Sequence, residues 1–379
     1  MNGRVLSIQS HVAYGYVGNK AAVFPLQCLD YDVDVVNTVN FSNHSGYGHF
    51  GGSKASADEL RKIFRLMEDN GMLTPHRLVT GYIPGAEALS AVAELAKKLR
   101  ARRRDMIYLL DPVLGDSGKL YVSQDVIPIY KSMLPLSTII TPNWFEVETL
   151  TDQKIADMPS LRRALTILHE EHEVPHVVIS SITLTPFLRA ALPSSIRPPE
   201  DADNEDYLLC ISSSSSRGEE GSQSQMSVVH AQCMPFISGY YSGVGDLFSA
   251  LVLAHFSPSP PSPSPHLPTT TNGVSAPTQN GVDSAALPHP YTSTPLSRAT
   301  SAALTTTHAI LQDTATHAQT LPLDSRTSTD DELDNKEPAR VVRRMRGREL
   351  RIVHGQDVIR QQRAVPRRTM ELWVDFWDA

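Results

Sequence analysis

Between Arg4 and Ser180 the chain alternates short apolar runs, rich in β-branched residues, with segments of helical period, and few folds accept that alternation. The spacing predicts strands over 4–10, Tyr31–Val39, Arg77–Tyr82, Met106–Leu110, Ser137–Ile140 and His176–Ser180. Between them it predicts helices over about Asn19–Leu29, Glu87–Arg103, Gln124–Met133 and Ser160–Glu173, and one after Pro142. A further helix is opened by the capping box Ser56-Ala57-Asp58-Glu59 and closed by Gly71. A loop bearing Gly15 and Gly18 separates the first strand from its helix. Strands joined through helices run parallel with right-handed crossovers, so the expected fold is α/β, three α/β/α layers around a mostly parallel sheet. After Ser181 the pattern changes. Tyr207–Ile211 and Ser227–Gln232 predict an antiparallel pair at an edge, and Pro193–Asp206 is polar enough to read as mobile.

With 379 residues, 41% hydrophobic and 20% charged, the chain has ample material for a large core. A formal net charge of −7 leaves no overall footprint for nucleic acid, and no run reaches the apolar length of a membrane span. Neither nucleic acid nor membrane is an expected partner. Cys28, Cys210 and Cys233 are too widely spaced for a metal motif and too few for an even disulfide framework. That fits a reducing compartment. No charged and apolar leader precedes Arg4, so the expectation is a soluble, cytoplasmic protein. The core is read as 1–256. A Pro/Ser/Thr-rich insertion at 257–297 cannot bury enough apolar surface to offset its ordering entropy, and reads as disordered. Helical pattern returns over 298–320, a polar linker read as disordered covers 321–338, and a basic segment at 339–379 completes the core and ends in a tail. Within it, Arg340–Arg351 reads as a solvated helix or tail.

Chemistry concentrates at Ser242-Gly243-Val244-Gly245-Asp246, followed at once by an apolar helical run. Two glycines allow a tight turn in which successive N–H groups converge at the positive end of a helix, a ready anion site. Asp246 stands at that mouth, where a carboxylate can take a proton. An anion cradle beside a base is what phosphoryl transfer to an alcohol needs. The plainer reading of Asp246 is an N-cap. Open α/β sheets place ligands beyond the carboxyl ends of their strands. The polar groups there are Ser10, the loop Phe41 to Tyr47, Thr80-Gly81-Tyr82, Asp111, Thr141 with Asn143, and Ser180 with Ser181. Asp111, Asp116 and Glu146 offer three carboxylates to a hard cation bridging phosphate oxygens, the usual role of Mg²⁺. Turn and cap chemistry is their other reading. On their own, His44 and Ser45 read as shaping a turn. Gly15-Tyr16-Val17-Gly18 lacks both the Lys-Ser/Thr of a P-loop and the full dinucleotide fingerprint.

Six motifs, taken in order and spacing, resemble the pyridoxal kinases, the vitamin B6 branch of the ribokinase-like superfamily. They are Arg4-Val5-Leu6-Ser7-Ile8-Gln9-Ser10-His11-Val12, Gly15-Tyr16-Val17-Gly18-Asn19, Phe41-Ser42-Asn43-His44-Ser45-Gly46-Tyr47, Asp111-Pro112-Val113-Leu114-Gly115-Asp116, Thr141-Pro142-Asn143-Trp144-Phe145-Glu146 and Gly243-Val244-Gly245-Asp246. The likeness covers residue 4 to about 256, loosest in the hairpin region. It returns near 299–318 and at Glu349-Leu350-Arg351-Ile352-Val353. It implies a homodimer that transfers the γ-phosphate of ATP to the 5′-hydroxymethyl group of pyridoxal, pyridoxine or pyridoxamine. Mg²⁺ or another divalent ion, and K⁺ or Na⁺, would assist.

The resemblance also implies roles. Asp246 would be the catalytic base, with the amides of Gly243, Val244 and Gly245 around the transferring group. Ser10 and Ser45 would hydrogen-bond the vitamer, while Val17, Phe41, His44 and Tyr82 wall its pocket and Tyr121 belongs to a lid. Asp111, Asn143, Glu146, Ser180 and Ser181 would face ATP. Asp111, Asp116, Thr141, Glu146 and Ser180 would face the metal ions. Val244 stands where Thr is usual, Ser45 where many relatives have Thr and Ser180 where some do, and the insertion replaces a short loop. Two alternatives stand beside this reading. One is another ribokinase-like kinase, such as one for hydroxymethylpyrimidine, which His44-Ser45 and Tyr82 fit less well. The other is a weakly active relative that binds B6 vitamers, motivated by Val244 and opposed by the intact Asp246.

Overall fold

The computed structural model describes residues 3–116, 118–203, 206–215, 226–258, 293–322 and 331–378. Most of the 257–297 insertion and the middle of the 321–338 linker lie outside them. In chain order the strands are β1 (Arg4–Val12), β2 (Asp32–Phe41), β3 (Gly52–Lys54), β4 (Arg77–Thr80), β5 (Ile107–Leu110), β6 (Gly115–Asp116), β7 (Lys119–Leu120), β8 (Ile139–Ile140), β9 (His176–Thr183), β10 (Tyr207–Ser214), β11 (Val228–Pro235) and β12 (Glu371–Leu372). The main sheet runs β12-β11-β10-β9-β8-β5-β4-β1-β2-β3, and β6 pairs with β7 apart from it. From β2 to β9 every neighbouring pair is parallel. β3 joins one edge antiparallel, and β10, β11 and β12 extend the other in the same sense. The expected mostly parallel sheet is therefore present, with antiparallel strands at both ends.

Helices α1 (Asn19–Cys28), α2 (Ala57–Asp69), α3 (Ala86–Arg102), α4 (Ile127–Met133), α5 (Trp144–Thr151), α6 (Met158–Thr166), α7 (Pro186–Ala191), α8 (Val244–His255) and α9 (Pro295–Thr320) cover its two faces. Successive strand side chains point to opposite faces, and both faces are buried here. Leu6, Leu78 and Leu110 pack with α2 and α3 residues such as Leu60 and Leu89. Val5, Val79 and Leu109 pack on the other side with Ala21 of α1, Leu251 of α8 and Ala303 of α9. That double burial is why these strands read as continuous apolar runs. Ser56 Oγ accepts the Glu59 N–H at 3.2 Å and starts α2 at the expected place.

Several elements differ from expectation. The helix expected over 124–133 begins as a 3₁₀ turn, Gln124–Val126. The one expected from Ser160 starts at Met158, because Asp157 and Ser160 form a reciprocal cap, and it continues as a π turn through Glu171. Pro193–Asp206 is held down where it is described: Leu192 and Ile196 are buried, and the Arg189 and Arg197 guanidiniums donate to the carbonyls of Ala202 and Leu192. α7, the β6–β7 hairpin and β12 were not anticipated. Residues Asp331–Lys336, inside the stretch read as a linker, form a helix, and Ala339–Gly347 forms another. The tail docks, with Trp373 and Phe376 buried in the core. The three cysteines are free thiols. Among the described residues no helix is long and apolar enough to cross a membrane.

Candidate active site

The cradle forms where α8 begins. Gly243 caps the helix at φ 82°, a left-handed conformation that favours glycine. A Cβ there would stand 1.9 Å from the Tyr16 carbonyl oxygen. Gly245 differs: a Cβ on it would meet no protein atom within 4 Å. Its bareness leaves room for something other than the protein. The first N–H groups of a helix have no intrahelical acceptor, so this turn presents free donors to the space Gly245 leaves open. Asp246 is not the cap. Its Oδ2 accepts the Gly18 N–H at 2.8 Å, bridging α8 to the loop after β1. Part-buried and open to the cavity it lines, Asp246 has its proton affinity raised by burial, with the Gly18 bond opposing.

Asp111 directly follows β5 and is buried. Its Oδ2 accepts the Ser249 hydroxyl at 2.9 Å, and Ser249 Oγ lies 2.8 Å from Thr141 Oγ1. Burial first, then repulsion from Asp246, push Asp111 up to about 7 against the Ser249 hydrogen bond. Glu146 is raised as well, by burial and by Asp111. Its oxygens are already committed. Oε1 accepts the N–H groups of Leu114 at 2.9 Å and Gly115 at 3.4 Å, and Oε2 accepts the Asn143 N–H at 2.9 Å. Asn143 Oδ1 in turn accepts the Glu146 N–H at 3.0 Å, and Asn143 Nδ2 donates to the Gly115 carbonyl at 2.8 Å. Together the two residues cap α5 and pin the base of the β6–β7 hairpin.

The sequence pointed to three carboxylates around one cation. Among the described residues no three His, Cys, Asp or Glu side chains gather closely enough to hold a metal ion by themselves. Glu146 also accepts backbone amides. Two of the three raised carboxylates, Asp111 and Asp246, still fit a cation that arrives with phosphate oxygens, because such an ion would offset the repulsion between them.

Asp111 carries a stability prediction. Its pKa is about 7 in the folded chain against 3.8 for the free group. Between those values the folded chain keeps a proton that the unfolded chain has released, so stability falls as pH rises through that window. Part-buried His176 and His308, held down to about 4 by desolvation, act in the opposite sense. The difference between parent and Asp111→Asn therefore isolates the effect. Thermal melts of the ligand-free protein at pH 5 and pH 8 are expected to show the variant gaining a few degrees on the parent at pH 8. Equal gains at both pH values would remove Asp111 as the source.

Ser10, Val17, Phe41, His44, Ser45, Tyr82 and Tyr121 line one part of a cavity of about 750 Å³. Asp111, Asp116, Thr141, Asn143, Glu146, Ser180, Ser181 and Gly243 to Asp246 line the same cavity. Every residue to which the resemblance gives a role thus lines one cavity. Beneath it lies a buried amide network. Asn19 Nδ2 donates to the carbonyls of Gln9 at 3.2 Å and Val36 at 3.3 Å, and Ser7 Oγ donates to Asn19 Oδ1 at 2.7 Å. It ties β1, β2 and α1 together through Gln9, the residue before Ser10.

Sequence reading missed part of the wall. Phe50, Phe236, Tyr240 and Tyr241 stand around the cavity, as do Leu304, Thr307, His308 and Leu311 of α9. The α9 residues follow one helix face at i, i+3, i+4 and i+7, a legible stripe. Nothing local told which neighbour that stripe would meet.

The phosphomethylpyrimidine kinase family model matches residues 49–188. Pyridoxal kinase from Arabidopsis thaliana is 39% identical over 252 residues, which is 66% of this chain and 73% of that protein. The human pyridoxal kinase is 37% identical over 256 residues, 66% of this chain and 76% of that one. The solved structure of pyridoxal kinase from Leishmania donovani in complex with ADP and pyridoxamine aligns with a TM-score of 0.70 at 27% identity, covering 97% of this chain and 99% of that chain. A fold of the ribokinase-like kind, a glycine cradle with Asp246 beside it, and this degree of likeness over most of each relative lead to one conclusion: the chain belongs to the pyridoxal kinase family.

Proposed function

We propose that this chain is an ATP-dependent pyridoxal kinase, transferring the γ-phosphoryl group of ATP to the 5′-hydroxymethyl oxygen of pyridoxal, pyridoxine or pyridoxamine. The observation that carries this reading is Asp246, held by the Gly18 amide beside an open glycine cradle. The vitamer hydroxyl gives its proton to the Asp246 carboxylate as its oxygen bonds to phosphorus, and the bond to the ADP oxygen breaks. The amides of Gly243, Val244 and Gly245 take up charge on the transferring group. Ser10 and Ser45 hydrogen-bond the vitamer, Val17, Phe41, His44 and Tyr82 wall it in, and Tyr121 on the β6–β7 hairpin closes over it. Asn143, Ser180 and Ser181 face the nucleotide. Mg²⁺ or a similar divalent ion, which Asp111, Asp116 and Glu146 would hold, would supply charge neutralisation of the phosphates. K⁺ or Na⁺ would sit by Asp111, Thr141 and Ser180. We further take the protein to be a cytoplasmic homodimer, its single kinase core interrupted at 257–297 and 321–338.

The test is ATP-dependent phosphorylation of pyridoxal by the purified protein, with hydroxymethylpyrimidine as competing substrate. Pyridoxal phosphate formation supports the proposal; preference for the pyrimidine moves the chain to the other kinase branch. Tight vitamer binding without turnover leaves a binding protein.

Val244→Thr is expected to improve ATP use. Val and Thr are nearly isosteric, so the cradle keeps its shape and gains one hydroxyl. A hydrogen bond to a charged phosphate contributes roughly 1.5–3 kcal/mol. Steady-state kinetics should show kcat/KM for ATP rising about tenfold or more. No gain would mean that water already fills the place of the hydroxyl.

A further inference from the structure

Glu349 lies outside the six motifs, at the head of the C-terminal stretch where the likeness returns. Leu350 and Ile352 are buried, and the Arg351 N–H donates to Thr314 Oγ1 on α9 at 3.0 Å. That anchoring delivers one carboxylate behind the loop carrying His44 and Ser45. Its Oε2 accepts the Tyr16 N–H at 2.9 Å, its Oε1 accepts the Tyr47 hydroxyl at 2.7 Å, and His44 Nε2 lies 3.2 Å from Oε1. The Glu349 and His44 side chains are only 10% and 9% exposed. Gly15 is bare because a Cβ there would stand 2.3 Å from Glu349 Oε1. Burial alone would raise the Glu349 carboxyl; the hydrogen bonds from His44 and Tyr47 outweigh it and hold the group below its ordinary value. The carboxylate is charged, and its hydrogen bonds are of the strong kind.

The other side of the imidazole fixes the proton. The Gly46 N–H lies 3.2 Å from His44 Nδ1, and a backbone amide can only donate. Nδ1 therefore bears the lone pair, and the ring proton sits on Nε2, facing Glu349. Ser242 Oγ, 3.1 Å from Nδ1, is then a donor too, and ties the ring to the residue before Gly243. Both ring nitrogens are spent on protein partners.

We infer that Glu349 is a positioning residue for the vitamer half of the site, fixing the tautomer and ring plane of His44 so that His44 meets the vitamer with its ring and not with a nitrogen. The inference rests on the pyridoxal kinase reading and deepens it. A carboxylate from the far end of the chain thus sets the shape of a pocket built from the first strands.

The test compares the full chain with Glu349→Gln, which keeps size and polarity but leaves one acceptor oxygen in place of two. Initial rates are measured with pyridoxal and ATP varied separately, and two-bond ¹H–¹⁵N histidine spectra report the tautomer, His44 being assigned by the resonance lost in His44→Asn. The expected result is a KM for pyridoxal raised about tenfold with the KM for ATP within about twofold, and a parent His44 protonated at Nε2. An unmoved KM for pyridoxal, equal rises in both KM values, or a His44 proton on Nδ1 overturns it. Should the Gln variant not fold, the parent spectrum alone decides. A parent that turns over no pyridoxal sinks the activity reading, while the tautomer is still read separately.

Discussion

Asp246→Asn is expected to lower kcat for pyridoxal phosphorylation by roughly 10²–10⁴-fold while changing the KM for either substrate little. The substitution is the mildest that removes the base. Asn keeps an oxygen in place of Oδ2, so the bond from the Gly18 N–H, 2.8 Å in the parent, has an acceptor, and the start of α8 keeps its link to the loop after β1. What it loses is a lone pair able to take the hydroxyl proton as the new bond to phosphorus forms. Removing the charge also relieves Asp111, whose proton affinity is raised by burial and by Asp246. The melting temperature should therefore hold or rise. A variant that is as stable as the parent and nearly inactive separates chemistry from folding. Turnover within tenfold of the parent would mean that the proton leaves by another route and that Asp246 serves only to brace the Gly18 loop.

Gly243→Ala should damage both fold and activity, and Gly245→Ala only the second. At Gly243 two costs coincide. The φ of 82° disfavours any L side chain by roughly 1–2 kcal/mol. A Cβ 1.9 Å from the Tyr16 carbonyl oxygen also forces the backbone apart, since neither atom is the end of a flexible chain. Moving a cradle by even about 1 Å costs on the order of 10²-fold in rate. Loss of melting temperature together with a kcat/KM for ATP at least that much lower is the expected outcome. At Gly245 the Cβ meets no protein atom within 4 Å, so the melting temperature should stay within a degree or two of the parent. ATP affinity should nonetheless fall, because the methyl occupies the ligand's room. Equal thermal losses in the two variants would show that Gly245 also has a packing role.

The parallel centre of the sheet was legible because its strands are buried on both faces and carry that fact in sequence as unbroken apolar runs. The strand-end positions followed from topology: once β1, β5, β8 and β9 are parallel, Ser10, Asp111, Thr141 and Ser180 must share an edge. The cradle was legible because Gly243 to Asp246 are contiguous. What escaped has a common cause. β6, β7 and β12 are two residues long, too short to show a period. The role of Glu349 depends on a partner 333 positions away, and no local pattern encodes that. The hydrogen-bond partners of Glu146 were hidden for a related reason. Its residue type fits a cation, but the amides of Leu114 and Gly115 that satisfy it lie across the site, where only the fold shows them.

The bond from the Tyr16 N–H to Glu349 closes a loop of 333 positions, and polymer statistics say what the insertion contributes to that loop. Closure entropy grows only as the logarithm of length, so deleting residues 257–297 would shorten the loop by about an eighth and change its closing free energy by only ~0.1 kcal/mol. A strap that binds its target at such separation is nearly indifferent to how much chain lies between. The stretch can be lengthened, trimmed or exchanged for a reporter sequence with almost no entropic penalty at the pocket, and what the strap gives up is speed, because contacts so distant along the chain form late in folding.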